Sequence, residues 1–204
     1  MENSTETRLL PMIALRGVVM FPGVTETIDI GRGASLAALD FATENRMDLF
    51  VSAQKDSGVA IPLKEDIYTV GTIVKVKQML KLPNNLARVV VQGLATAKIK
   101  KYCSNTKFFQ VETEELPYTK TDTIESEVLA RKVMELTKQY LSISGRSVSD
   151  RLPELGDDVN VFLNRLAMQI IYREGQKQQL LEETDTEKRL LDFCSVLTHE
   201  TELS

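Results

Sequence analysis

The hydrophobic period of this chain changes once, near Pro117, and that change limits it to a β-rich part followed by a helical part. Before Pro117, apolar and polar residues alternate along β-branched stretches, the two-residue period of half-buried strands. Val70 to Leu80 and Arg88 to Lys101 are the longest, with Pro83-Asn84-Asn85 between them as a hairpin connection. Leu9 to Ala14, Thr25 to Ile30, Leu49 to Ala53 and Phe108 to Thr113 add four shorter strands. Leu36, Leu39 and Ala42 mark one helix within Ser35 to Asn45. Phe21-Pro22-Gly23 reads as a turn, because Pro fixes φ and Gly tolerates positive φ.

From Asp122 the period is 3.6. Asp122 with Glu125 reads as a variant capping box. Ile124, Val128, Leu129, Val133, Leu136 and Tyr140 fall on one stripe of the helix that follows. Ser142 to Pro153 is a connector. Asp157 or Asp158 then caps a helix whose core face is Phe162, Leu166 and Ile170, and a short helix follows around Gln176 to Glu183. Thr184-x-x-Glu187 has the capping-box spacing and opens a last helix, with Leu190, Leu191, Cys194 and Leu197 turned inward. The expected organisation is a disordered terminus over residues 1–8, a β-rich unit over 9–117 and a small helical bundle over 118–204. The fold class is therefore α+β.

The residues that would carry chemistry are missing. Cys103 and Cys194 lie far apart and His199 is the only histidine, so no metal site is expected, and both cysteines read as reduced thiols. Gly31-x-Gly33 lacks the further glycines and the Lys of a phosphate loop. The pairs Glu114-Glu115, Asp157-Asp158 and Glu182-Glu183 stand at element ends, where acids more often stay solvated or face a helix dipole. No catalytic residue, cofactor or metal is assigned. Residues 1–120 carry 15 basic and 13 acidic side chains, and residues 121–204 carry 10 and 16, so neither half has the excess of a nucleic-acid binder. Lys98, Lys100, Lys101, Tyr102, Lys107 and Phe108 come nearest to a basic-aromatic patch, but the simpler reading is the solvated face of a sheet. Nucleic acid and membrane are not expected partners. With no apolar leader and no run of about 20 apolar residues, the expected location is cytoplasmic.

Leu10-Pro11-Met12-Ile13-Ala14-Leu15-Arg16-Gly17-Val18-Val19-Met20-Phe21-Pro22-Gly23 resembles the opening of the N-terminal domain of ATP-dependent Lon proteases. The resemblance continues in order through Gly31-Arg32, Gln54-Lys55-Asp56, Asp66-Ile67-Tyr68-Thr69-Val70-Gly71-Thr72, Gln78 to Asn84 and Val91-Gln92-Gly93-Leu94. It resumes at Lys177-Gln178-x-Leu180-Leu181-Glu182 and Arg189-Leu190. One departure is Thr96, where the family usually carries Arg; Lys98 is the nearest substitute. The resemblance implies a PUA-like β pseudo-barrel with one helix, followed by a helical bundle leading towards an ATPase core. It further implies a non-catalytic, substrate-recognising piece of a cytoplasmic AAA+ serine protease that assembles as hexameric rings, with ATP and Mg used outside this chain. The piece alone is expected to be a monomer or weak dimer.

The implied partners are unfolded or misfolded proteins and other Lon subunits. The alternative is a stand-alone Lon-domain adaptor or substrate receptor without protease activity. Weak binding of many sequences needs an accessible apolar patch with adaptable side chains. The substrate-binding candidates are Met79, Leu80 and Leu82 beside the hairpin turn, then Met20 and Phe21 beside Pro22-Gly23. Arg16 is expected to bind a backbone carbonyl or a carboxylate.

Overall fold

The structure is a computed structural model that describes residues 6–203, apart from 32, 106, 121–123, 148–150, 157 and 172. It divides into two units, one up to Pro117 and one from Tyr118. Among the described residues the first unit holds six strands, one α-helix and a single 3-10 turn at Lys64–Asp66. The strands and the α-helix are β1 (Thr7–Leu15), β2 (Thr25–Ile30), α1 (Gly33–Glu44), β3 (Leu49–Ala53), β4 (Val70–Leu82), β5 (Leu86–Cys103) and β6 (Phe109–Glu115). The order across the sheet is β2-β5-β4-β3-β1-β6, and a further β5–β6 pairing closes it into a barrel-like ring. β1 and β3 are parallel, and the other pairs are antiparallel. The core inside holds Leu10, Met12, Phe50, Ile73, Ala97 and Val111.

β1 starts earlier than polarity suggested. Thr7 and Arg8 pair with Glu114 and Thr113 of β6, and the Arg8 guanidinium donates to Asp48 at 2.8 Å. These two residues belong to the sheet and not to a disordered terminus. At the far end of the hairpin, Asn84 and Asn85 take φ of 63° and 55°, which Asn tolerates better than most residues.

β5 changes neighbours along its length. Ala87 to Gln92 pair with β2 on one side, and Ala97 to Cys103 pair with β6. Between these stretches the register against β4 slips, so that Gly93 faces Val74 and Ala95 faces Ile73, leaving Leu94 as the extra, exposed residue. The turn at residues 21–24 docks on this bulge. Gly23 N–H donates to the Gly93 carbonyl at 3.0 Å, and Gly93 N–H donates to the Val24 carbonyl at 2.8 Å. A Cβ at position 93 would lie 2.0 Å from the Phe21 carbonyl oxygen. The docked turn buries Met20 and Phe21 at 3 % and 0 % exposure. Both are therefore core residues here, and neither contributes to an accessible patch.

The second unit holds α2 (Ile124–Ser144), α3 (Val159–Ile170), α4 (Glu174–Glu182) and α5 (Thr186–Glu202). α2 packs mainly on α5. It does so through Ser126, Ala130, Val133, Thr137 and Tyr140, while Ile124 and Val128 face solvent. The buried row is thus rotated from the expected stripe, because small side chains let the helix axes approach closely. α5 shows the same rotation: Arg189, Leu190, Phe193 and Leu197 are buried, Leu191 is exposed and Cys194 is half-buried. The Asp158 carboxylate caps α3 through Asn160 N–H at 2.9 Å and Val161 N–H at 3.2 Å. Asp157 and Asp122 lie outside the described residues. The cap of α5 is Asp185, which accepts from Lys188 N–H at 2.9 Å, and not Thr184. His199 belongs to α5.

Arg189 organises this unit from inside, at full burial. Its guanidinium donates to Asn160 Oδ1 at 2.7 Å, to Asn164 Oδ1 and to the Leu180 carbonyl at 3.3 Å, and it lies 4.4 Å from the centroid of the Tyr118 ring. Burial pushes its pKa down, opposed by Tyr118, Glu183 and Asp158. An Arg-to-Met change keeps the stem packing but strands three acceptors in the interior. We expect Arg189→Met to lower stability by about 3 kcal/mol, read from urea unfolding followed by helical circular dichroism. Gly93→Ala is expected to cost about 2–4 kcal/mol in the β-rich unit, read from the same titration followed by tyrosine absorbance.

Candidate functional site

Four segments distant in the sequence enclose an apolar groove of about 500 Å³ in the β-rich unit. Met12 and Ala14 of β1 form its floor. Gly33, Ala34 and Ser35 of α1 form one wall, Ala60 to Leu63 a second, and Asn105 with Lys107 to Phe109 a third.

Polar side chains hold the second and third walls. The Gln54 carboxamide donates to the carbonyls of Asp56 at 3.2 Å and Val59 at 3.0 Å. The Arg16 guanidinium donates to the carbonyls of Val59 at 3.3 Å and Ala60 at 2.9 Å, the carbonyl-binding role expected of it. The Asp66 carboxylate accepts from Leu63 N–H at 2.8 Å, and that of Asp56 from Gly58 N–H at 2.8 Å. The loop is thereby fixed at both ends while Ile61 and Leu63 stand out at 84 % and 64 % exposure. On the third wall, Asn105 Oδ1 accepts from the N–H groups of Lys107 and Phe108, and the Phe108 ring packs on Phe41 at 5.2 Å. A rigid apolar cleft with exposed aliphatic rims suits an apolar polypeptide segment better than a small polar metabolite.

The hairpin candidates separate. Leu80 stands opposite Arg88, and Leu82 stands opposite Leu86. Alternation puts Leu80 and Leu82 on one face of the sheet and Met79 on the other. Leu80 is 59 % exposed and Leu86 is also exposed, while Met79 and Leu82 are half-buried. The groove itself escaped the sequence reading, since no periodicity links residues 12, 34, 61 and 108. Its one local signal was Ala60-Ile61-Pro62-Leu63, an apolar tetrad inside a loop.

The basic stretch of β5 is matched by acid. Lys98 and Lys100 Nζ each lie 3.8 Å from Glu114, so Lys98 faces β6. Thr96 is buried. In the helical unit, a recess of about 450 Å³ between α4 and α5 is rimmed by charge, including the 2.8 Å Lys188–Glu183 pair. Among the described residues, no group of three His, Cys, Asp or Glu side chains could hold a metal ion, and no helix is long and apolar enough to cross a membrane.

The motif residues of the β-rich unit serve as its framework. Thr72 Oγ1 donates to the Met20 carbonyl at 2.7 Å, Tyr68 N–H donates to the Ala53 carbonyl, and a Cβ at Gly71 would meet the Val51 carbonyl oxygen at 2.2 Å. The family model described as the ATP-dependent protease La (LON) substrate-binding domain matches residues 9–199. The chain belongs to the Lon substrate-binding domain family. It is 37 % identical over 201 residues to a Lon protease of Clostridioides difficile, covering 95 % of this chain and 26 % of that protein. It is 31 % identical over 203 residues to Lon protease 1 of Bacillus subtilis, covering 96 % and 26 %. The chain thus spans about a quarter of the length of these Lon relatives. The structure of the N-terminal domain of a Mycobacterium avium complex Lon protease superimposes with a TM-score of 0.69 at 23 % identity, over 96 % of this chain and 98 % of that one. A Lon N-terminal domain protein from Xanthomonas campestris gives a TM-score of 0.62 at 16 % identity, over 92 % and 98 %. Both likenesses show the α+β fold of the Lon N-terminal domain.

Tyr102 lies just behind the groove, its ring set edge-on to Phe109 at 5.6 Å. Its hydroxyl is buried with no partner among the described residues. Burial, and then the charge of Glu65, push the phenol up from 10.0 to about 12. A phenol whose folded pKa stands above its unfolded value stabilises the fold below pH 10 and loses that contribution as pH rises from about 10 to about 12. Tyr102→Phe is expected to flatten that alkaline loss in thermal melts. At neutral pH it is expected to leave stability unchanged or raise it by up to about 1 kcal/mol, since no hydrogen bond is lost.

Proposed function

We propose that this chain is the substrate-recognising front part of a Lon-type ATP-dependent serine protease, and that it holds unfolded or damaged proteins for degradation. In this reading the ATPase and protease parts, with their ATP and Mg, lie in further sequence. The ring of subunits forms mainly through those parts, and the assembly works in the cytoplasm. The family supports a substrate-binding role, and the observation that carries it to a place on the molecule is the groove beneath Ile61 and Leu63.

An unfolded protein differs from its folded form chiefly in exposing apolar side chains. A cleft that takes such side chains without a fixed pattern of hydrogen bonds distinguishes the two states whatever the sequence. Each apolar side chain accepted contributes about 1.5–3 kcal/mol before the cost of ordering the chain, so single contacts are weak and release is fast. That suits a piece that must pass its cargo on. The exposed Leu80 and Leu86 of the hairpin, with the half-buried Leu82, offer a second apolar surface of the same chemistry.

Because Ile61 and Leu63 are exposed, Ile61→Asp with Leu63→Asp is expected to leave the fold intact and weaken binding of a reduced, carboxymethylated protein at least tenfold, by fluorescence anisotropy. Leu80→Asp with Leu82→Asp is expected to weaken it less. Unchanged binding in both folded double variants rejects an apolar capture surface in this unit.

A further inference from the structure

The apolar groove has one end of different chemistry. Its wall on α1 consists of the first three helical residues, Gly33, Ala34 and Ser35. The N–H groups of a helix's first turn have no partner within the helix and carry the positive end of its dipole. No acidic residue occupies the first turn of α1. None of these three N–H groups has a backbone acceptor among the described residues. Ser35 lines the groove at only 8 % exposure, and its hydroxyl has no hydrogen-bond partner among the described residues. Ser35 is thus nine-tenths buried, and its hydroxyl, with the first-turn N–H groups of α1, keeps hydrogen-bonding capacity that the described residues do not use. Lys107, exposed on the facing wall, has no ion pair among the described residues.

We propose that the groove takes the carboxyl terminus of a polypeptide ending in an apolar residue. The last side chain lies on Met12, Ile61 and Phe109, and the α-carboxylate accepts hydrogen bonds from the start of α1 and from Ser35 while facing Lys107. A chain end is the occupant that fits, because it alone carries an apolar side chain and a carboxylate on the same residue. An aspartate or glutamate side chain would place its carboxylate here with no apolar group to fill the adjoining cleft. The inference rests on the substrate-binding reading and narrows it to chain ends for this groove.

The test uses two fluorescein-labelled hexapeptides of one sequence ending in Leu-Phe, one with a free carboxylate and one amidated. A reduced, carboxymethylated protein serves as a control client. The free acid is expected to bind at least tenfold more tightly than the amide. Lys107→Glu is expected to remove most of that difference, and Ser35→Ala to reduce it about threefold, with both variants folded by circular dichroism. Ile61→Asp with Leu63→Asp is expected to weaken both peptides. Equal binding of acid and amide, or a preference for the acid that survives Lys107→Glu together with Ser35→Ala, overturns the proposal. If neither peptide binds while the control client does, the chain-end proposal fails and the capture reading stands. If the client also fails to bind, both fall.

Discussion

Any side chain at position 93 would fall in the space held by the Phe21 carbonyl, whose oxygen lies 2.0 Å from the Cβ such a side chain would need. That close approach lets the turn at residues 21–24 sit on β5 where the strand changes partners from β2 to β6. β5 is the shared wall of the unit, paired with β4 along most of its length and with β2 and β6 in turn. Burial of Met20 and Phe21, and the bond from Thr72 to the Met20 carbonyl, depend on the turn reaching this bulge. The opening stretch is therefore largely architectural, with its left-handed Gly17 and Gly23 placing a buried segment.

The same economy of polar groups shapes the groove. Gln54, Arg16, Asp56 and Asp66 spend their hydrogen bonds on main-chain atoms of one loop. A loop held in this way can present Ile61 and Leu63 to water without collapsing onto the core. Apolar exposure is normally costly and mobile, but here it stands on a rigid base, as an adaptable binding surface requires.

Most of the elements were legible from periodicity and turn chemistry. The hairpin at Pro83, the two-part organisation and the α+β class all follow from local rules that tertiary packing did not override. The helix faces were less legible. Counting large apolar residues marks Ile124, Val128 and Leu191, but the helical unit buries Ser126, Ala130, Thr137 and Arg189. Small residues are buried because of how near a neighbouring helix comes, and a buried arginine because acceptors from two other helices converge on it. Neither is a property of one segment. The substrate candidates show the same limit. Met20 and Phe21 flank a conspicuous turn, but the turn folds inward. The groove needs four segments to exist, and only its Ile61-Pro62-Leu63 rim left a trace in the sequence.

The ring of Tyr118 against Arg189 bears on where the helical half begins. Leu116 N–H still bonds the Thr96 carbonyl of the β-rich half. Two residues later Tyr118 covers the guanidinium and its hydroxyl accepts from Asn164 at 3.0 Å, while Thr119 bonds Thr184 and Thr186. The strip ahead of α2 is thus no spacer. It is the lid of an ionic interior, and trimming it away would open a charged centre to water and leave four helices around an uncovered cation.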